Sequence, residues 1–341
     1  MKLTLNDLSS ITLGVDRVAL ENGRIRFHRF TEDEEIFYKE RDQVLGRTFS
    51  SRVSATAGVK LYFKTNSKRL GIKAGVAYAT SRTFYSFDIF ENNKLIGHLD
   101  NFKEDELLEN YTVQSYELSE ASGSFELSSG YSNVAIYFPW SVCIDGFEIE
   151  LDDGAVFEPI KPKHRLLAYG DSITQGYDAT RPSNRYIARI ANLLDAEETN
   201  KAVGGEIFVD GLLKKRLDFD PDYITVAYGT NDWSTTSGEG FYENARSFYK
   251  ILSERYPDAK IFAITPIWRV NYMDEKPFGD FFSVEATIRE VTSDLKNVSV
   301  ISGFDLVEHD AKKFADLRLH PRDKGFDDYY NNLSKRIKEL I

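Results

Sequence analysis

The chain has 341 residues, of which 42% are hydrophobic and 13% aromatic, so it can bury one large core or two ordinary ones, and two is the better expectation at this length. Its 54 acidic and 43 basic side chains give a formal charge of -11, which repels polyanions and argues against nucleic acid as a partner. No stretch is long enough to cross a bilayer, and the first residues lack the apolar run of a secretory signal. Because Cys143 is the only cysteine, no intrachain disulfide can form, and we expect a cytoplasmic location.

The first half of the chain has the pattern of an antiparallel sandwich. Short β-branched and aromatic runs follow one another from Val59 to Leu151 without long helical periods between them. Asn92 and Asn93 tolerate left-handed backbone and supply a turn between two of these runs. The runs are VKLYFKT, GIKAGVAYA, TFYSFDIFE, YTVQSYELS, GSFELSS, NVAIYFPW and VCIDGFEIEL. We predict an all-β, jelly-roll-like domain over residues 1–155, with GRIRFHRF as a further strand in the less regular first fifty residues.

The second half changes to alternating strands and helices after a proline-containing connector, Asp152 to Lys163. Strand-like RLLAYG, YITVAYG, KIFAITP and VSVISG alternate with helix-like NRYIARIANLL, FYENARSFYKILSERY and SVEATIREVTSDL. A last helix carries one apolar stripe that includes Phe326, Leu333 and Ile337. This alternation predicts a three-layer α/β domain with a parallel sheet over residues 163–341.

Four polar segments follow strands of that domain or precede its last helix: YGDSITQG, AVGGEIF, YGTNDW and DLRLHPRDKGF. In open parallel sheets ligands bind beyond the carboxyl ends of the strands, so we expect the four segments to meet at one rim. Acyl transfer needs a nucleophile, a base and donors aimed at the developing oxyanion. Ser172 can supply a hydroxyl and its own N–H, His320 is the best-placed base, Gly205 offers a backbone N–H, and Asn231 offers an amide N–H.

These residues also have plainer interpretations: the two glycines form a tight turn, and His320 is an exposed loop residue. Ser172 alone would be taken for a helix N-cap, and Asn231 for a turn residue that stabilises its own backbone. Either Gly204 or Gly205 could donate the N–H, and counting from Asn200 favours Gly205.

The four segments together resemble the signature blocks of the SGNH (GDSL-type) hydrolases, in the order Ser172, Gly205, Asn231 and His320. The resemblance covers residues 163–341 and implies a flavodoxin-like fold, a serine nucleophile, a histidine base and a three-donor oxyanion hole without a cofactor. A sandwich followed by such a domain also resembles the two-domain carbohydrate esterases of family 2, which remove acetyl groups from plant polysaccharides.

One position departs from the family pattern. The triad aspartate usually stands three residues before the histidine, where this chain has Leu317, and its aspartate is Asp316. We expect the extra residue to bulge outward so that Asp316 reaches the His320 ring. A backbone carbonyl or Asp323 could orient the ring instead, and some acceptor is required so that the base presents the correct nitrogen.

Residues next to the signature blocks form a predicted substrate-binding set. It consists of Asp171, Asp232, Trp233, Trp268 and Arg269. We expect the two aspartates to brace the loops by hydrogen bonds rather than to contact substrate. For the other three residues, core packing or a surface ion pair is the alternative to substrate contact. The remaining histidines lack metal-site spacing, so we predict no metal.

These features predict a serine esterase acting on short acyl esters, with acetylated sugars or oligosaccharides as the expected substrates. The alternatives are an acyltransferase, a lipase or acylhydrolase acting on other small esters, and a carbohydrate-binding protein with a silent hydrolase domain. No membrane or nucleic acid partner is expected, and self-association is left open.

Overall fold

Two compact units make up the computed structural model, which describes residues 1–341. The first comprises residues 1–162 together with 180–184 and 197–199, and the second comprises residues 163–179, 185–196 and 200–341.

Antiparallel sheets dominate the first unit. Its strands are β1 (Thr12–Leu13), β2 (Arg17–Glu21), β3 (Arg24–His28), β4 (Lys60–Thr65), β5 (Arg69–Tyr78), β6 (Ser86–Glu91), β7 (Lys94–Asp100), β8 (Ala121–Glu126), β9 (Ser132–Tyr137), β10 (Val142–Leu151) and β11 (Phe157–Pro159). One sheet has the order β1-β4-β9-β6-β7 with β11 paired to β4, a second has the order β10-β5-β8, and β2 and β3 form a separate hairpin. Alternate apolar side chains, including Leu61, Phe63, Ile72 and Phe147, form the buried core, as a sandwich requires.

The predicted turn at Asn92 and Asn93 is present, with φ of 49° and 65° at the two residues. The strand predicted for YTVQSYELS is wrong, since Tyr111–Val113 is a single 3-10 turn and the residues after it are irregular. Side chains take the place of a neighbouring strand there. Thr83 Oγ1 accepts from the N–H of Tyr116, and Asn101 Nδ2 donates to the carbonyl of Glu117.

Helices that the all-β expectation did not include occupy part of the first fifty-three residues. They are α1 (Leu5–Ile11), α2 (Glu32–Leu45) and α3 (Phe49–Val53). Thr4 with Asp7 and Thr31 with Glu34 form reciprocal capping boxes at the starts of α1 and α2. A threonine followed three residues later by an acidic residue is the sequence signal that could have predicted the starts of α1 and α2.

A parallel sheet between helices forms from the second half of the chain, as predicted. Its strands are β12 (His164–Gly170), β13 (Ala196–Asn200), β14 (Tyr223–Ala227), β15 (Lys260–Ile264) and β16 (Val298–Ile301), and its helices are α4 (Ser172–Gln175), α5 (Tyr186–Leu193), α6 (Thr230–Thr235), α7 (Gly238–Arg255), α8 (Phe282–Thr292) and α9 (Asp323–Leu340). The sheet order is β13-β12-β14-β15-β16, with parallel pairing from β12 through β16. Because β12 and β14 are parallel, the loops that follow them lie together at the carboxyl edge of the sheet, where β12 has β13 on one side and β14 on the other. None of the helices has the length and hydrophobicity needed to cross a membrane.

Candidate active site

Ser172 begins the one-turn helix α4, directly after β12. The preceding Asp171 is the N-cap, in extended conformation, and its carboxylate accepts from the N–H of Ile173 at 2.9 Å. Capping is therefore the task of Asp171, and the hydroxyl of Ser172 is left for another partner. That partner is His320, whose Nε2 lies 2.9 Å from Ser172 Oγ.

Asp316 holds the other side of the His320 ring. Its Oδ2 lies 2.8 Å from His320 Nδ1. Its Oδ1 accepts from three consecutive N–H groups, those of Arg318, Leu319 and His320, at 3.0, 2.7 and 3.0 Å. Burial alone would raise the pKa of Asp316, but these hydrogen bonds and the charge interaction with His320 hold the pKa well below its ordinary value. The carboxylate is thus an ionised acceptor at neutral pH.

Leu317 takes up the extra residue between Asp316 and His320. Its φ is 55°, in the left-handed region that non-glycine residues seldom adopt. The loop closes when the N–H of Ala315 donates to the carbonyl of His320 at 2.8 Å. The extra residue is therefore accommodated by a local backbone reversal.

Two backbone N–H groups of the loops that follow β12 and β13 have no acceptor within the protein. One belongs to Ser172, at the start of α4, and the other to the exposed Gly205. Gly205 has φ of 82°, which favours glycine. By contrast, the N–H of Gly204 donates to Gln175 Oε1 at 2.8 Å, so only Gly205 of the pair is available to a substrate oxygen.

Asn231, the second residue of α6, faces the Gly205 turn. Its Nδ2 donates to the carbonyl of Glu206 at 3.0 Å. An amide nitrogen carries two hydrogens, and the structure gives the second one no acceptor. The bond to Glu206 fixes the amide beside the Gly205 turn, while Gln175 links that turn to α4 through Gly204.

Asp171 and Asp232, predicted within the substrate-binding set, are almost inaccessible, at 2% and 0% exposure. Asp232 accepts from the N–H groups of Phe208 and Gly229 at 3.0 and 3.1 Å, so it connects the loop after β13 to the start of α6. Burial raises the pKa of Asp171 to about 6 and that of Asp232 to about 7. Both brace loops, and both side chains are buried.

The other three members of that set differ in exposure. Trp233 is fully buried, with its indole N–H donating to the carbonyl of Gly279 at 2.8 Å. Arg269 is 3% exposed and donates to the backbone and hydroxyl of Thr230 at 3.1 and 3.0 Å. Burial lowers its pKa to about 10. These two side chains support α6, whereas Trp268 is half-buried and stacks on His309 at 5.3 Å, so it alone keeps a surface for ligand contact.

Two residues beside His320 were missed by sequence reasoning. The Tyr177 ring packs against the imidazole with 5.6 Å between ring centroids, and Asp178 Oδ2 lies 3.6 Å from His320 Nδ1. Both follow α4 without any recognisable spacing signal. Asp178, Asp316 and His320 offer ligand atoms within 4.8 Å of one another, but a metal bound at Nδ1 would displace the 2.8 Å bond to Asp316.

The four other histidines have local partners. His28 contacts Glu35, His98 contacts Asp88, His164 lies near Asp222, and His309 contacts the carbonyl of Phe304. These contacts suit structural roles.

Residues 168–327 match the model of the GDSL-like lipase/acylhydrolase family. A search of curated proteins finds no match. Among solved structures, the fold is similar to a salicylyl-acyltransferase, SsfX3, from a tetracycline biosynthetic pathway, with TM-score 0.79, 18% identity and coverage of 100% of this chain and 97% of the other. It is also similar to a family 2 carbohydrate esterase from Cellvibrio japonicus (TM-score 0.66, 16% identity, 100% and 97% coverage). A third similar structure is an acetyl xylan esterase from the rumen bacterium Butyrivibrio proteoclasticus (TM-score 0.60, 15% identity, 100% and 99% coverage).

Proposed function

We propose that the GDSL-like lipase/acylhydrolase domain formed by residues 168–327 is a serine ester hydrolase. The observation that carries this proposal is the continuous line from Ser172 Oγ through His320 to Asp316, with bonds of 2.9 and 2.8 Å. A serine hydroxyl, an imidazole and an ionised carboxylate in this order form a nucleophile, a base and an orienting group.

The chemistry follows from the positions of these atoms. His320 Nε2 takes the proton of Ser172 as Oγ attacks the ester carbonyl, while Asp316 keeps the Nδ1 proton in place and stabilises the imidazolium. The N–H groups of Ser172 and Gly205 and the second amide hydrogen of Asn231 stabilise the oxyanion. His320 returns the proton to the leaving alcohol, and the same residues then activate water to release the acid. These steps need no cofactor.

We further propose an acyl group as small as acetyl on a carbohydrate alcohol. The support is the likeness in fold to family 2 carbohydrate esterases and to an acetyl xylan esterase, over all of this chain in both cases. Trp268 is the side chain we expect to contact the sugar, because it is the one aromatic member of the predicted set with an accessible surface.

A screen of acetylated xylo-oligosaccharides and other acetylated sugars tests reaction and substrate together. We expect acetate release by the wild-type protein and none above background by Ser172→Ala. Release of acetate by both proteins at equal rates would refute the proposed nucleophile. Cleavage of 4-nitrophenyl acetate without cleavage of any acetylated sugar would refute the substrate and leave the reaction standing.

Acyl transfer is a second candidate, supported by the likeness to a salicylyl-acyltransferase over all of this chain. The same acyl-enzyme serves both reactions, and they differ only in whether water or an alcohol attacks it. Product analysis with a sugar acceptor present separates them, since a transferase would form the acylated acceptor faster than the free acid. A sugar-binding protein with a silent hydrolase domain would form neither product.

A further inference from the structure

Asp178 is a second carboxylate at the nitrogen of His320 that Asp316 contacts. Its Oδ2 lies 3.6 Å from His320 Nδ1, compared with 2.8 Å for Asp316. The Asp178 side chain is fully buried, whereas that of Asp316 is 17% exposed. A buried carboxylate is costly unless hydrogen bonds or a positive group offset its charge. When His320 takes up the serine proton, its ring becomes a positive group 3.6 Å from this carboxylate.

The backbone fixes Asp178 from the nucleophile side of the site. The N–H groups of Gly176 and Tyr177 both donate to the carbonyl of Ser172, at 3.0 and 2.9 Å, which makes a tight turn after α4. Asp178 follows in left-handed conformation, with φ of 71°, which aspartate tolerates better than most residues. Tyr177, in the same turn, packs against the His320 ring. The turn that carries Ser172 therefore also positions Asp178, on a segment separate from the loop that carries Asp316 and His320.

We propose that Asp178 is a positioning residue that shares with Asp316 the task of orienting His320 and stabilising its imidazolium. This inference rests on the proposed hydrolase function. The proton moves from Ser172 Oγ to His320 Nε2, Nδ1 keeps its own proton, and neither carboxylate is protonated in the step. Two acceptors on separate segments keep the ring in place even when one segment moves.

Two further charged groups interact with His320 or with the charged groups beside it. Asp171 interacts electrostatically with His320, and Arg269 interacts with Asp171, Asp316 and Arg318. The Asp178→Asn substitution leaves both of these groups in place.

The test is the pH profile of kcat/KM for 4-nitrophenyl acetate in Asp178→Asn, which keeps the shape and the left-handed preference but removes the charge. A negative charge favours the imidazolium, and only neutral His320 acts as base, so removing the charge should move the acid limb to lower pH by about one unit. We expect kcat to fall about tenfold with KM little changed. Asp178→Glu should restore the acid limb. Asp327→Asn, which removes an exposed carboxylate paired with Arg189, is the matched control and should leave the profile unchanged.

The two carboxylates should also depend on each other. In an Asp316→Ala background, Asp178→Asn should lower kcat by more than the roughly tenfold fall expected for Asp178→Asn alone. The reason is that no carboxylate then remains at Nδ1. The proposal would be overturned if the acid limb of the pH profile did not move, or if Asp178→Asn lowered kcat by the same factor in both backgrounds. Asp178 would then be a structural residue.

A second measurement does not depend on whether Asp178 variants fold. In Asp316→Ala, with Asp178 intact, the proton on His320 Nδ1 should still give a downfield NMR signal below the acid limb, because Asp178 accepts from it. Disappearance of that signal would contradict the proposal. Loss of activity in Ser172→Ala together with a failed Asp178 test would reject this inference alone, whereas an active Ser172→Ala would reject the hydrolase function itself.

Discussion

The carboxylate of Asp316 contacts His320 twice, with Oδ2 at 2.8 Å from the ring nitrogen Nδ1 and Oδ1 at 3.0 Å from the backbone nitrogen. The first contact orients the base, and the second shapes the loop that presents it. The left-handed Leu317 makes both contacts possible across the three residues that separate Asp316 from His320.

Replacing Asp316 separates these two tasks. Asp316→Asn keeps an oxygen for the loop N–H groups but presents an amide N–H to Nδ1, which favours the wrong tautomer, so kcat should fall by about 10³-fold or more with little loss of stability. Asp316→Ala presents no competing N–H and should retain more activity, but it should unfold more easily by about 1 to 3 kcal/mol, because loop N–H groups lose their acceptor. Steady-state kinetics and urea denaturation of both variants check this. A more active Asn variant would contradict the assigned roles.

Asn231→Ala should lose one oxyanion donor. We expect kcat for 4-nitrophenyl acetate to fall about a hundredfold, or ~3 kcal/mol of transition-state stabilisation, with KM nearly unchanged. Asn332→Ala is a suitable control, because it also removes an amide that donates to a backbone carbonyl, that of Leu306, and it should leave kcat intact. A rise in KM without a fall in kcat would mean that Asn231 binds the ground state.

Asp232 should make stability depend on pH. Its pKa is raised to about 7 in the folded protein against an ordinary value of 3.8, so the folded state keeps a proton that the unfolded state has lost. The free energy of unfolding should therefore fall as pH rises from about 5 to 8, by ~2 kcal/mol more in the wild type than in Asp232→Asn. Urea denaturation of both proteins at the two pH values measures the difference. Parallel pH dependence would show that Asp232 is ionised in the folded state throughout.

The two tryptophans of the predicted substrate-binding set should behave differently. Trp268→Ala should raise KM for a carbohydrate ester several-fold and change kcat little, because its ring is half-buried at the surface. Trp233→Ala should instead destabilise the fold by about 3 to 5 kcal/mol, since its ring is completely buried. Kinetics on an acetylated oligosaccharide and thermal denaturation distinguish the two effects. Unchanged KM in Trp268→Ala would remove that residue from the substrate site.

The fold was predictable where periodicity is strong. The strands and helices of the second unit follow their apolar patterns closely, and the Asn92 and Asn93 turn follows from side-chain chemistry. One failure came where side chains override local preference. YTVQSYELS has a strand-like composition, but Thr83 and Asn101 satisfy its backbone, and such partners are distant in sequence.

The main residues of the candidate site were predictable from the order of the motifs. The residues that pack around them were not. Ser172 and His320 are 148 residues apart, and only their signature blocks indicate that they meet. Trp233 is structural because it is buried, whereas Trp268 has an accessible surface. The burial of a tryptophan cannot be predicted from its residue type alone. Asp178 shows the same limit, because its proximity to His320 depends on one left-handed residue in a turn.

The most direct test of a nucleophilic Ser172 is labelling with a fluorophosphonate probe, followed by mass spectrometry of the peptide that contains residues 166–177. We predict one adduct on Ser172, formed in parallel with loss of esterase activity, strongly slowed in a His320 variant and absent from Ser172→Ala. Labelling of a different residue in the wild type, or full esterase activity after Ser172 is removed, would contradict the account.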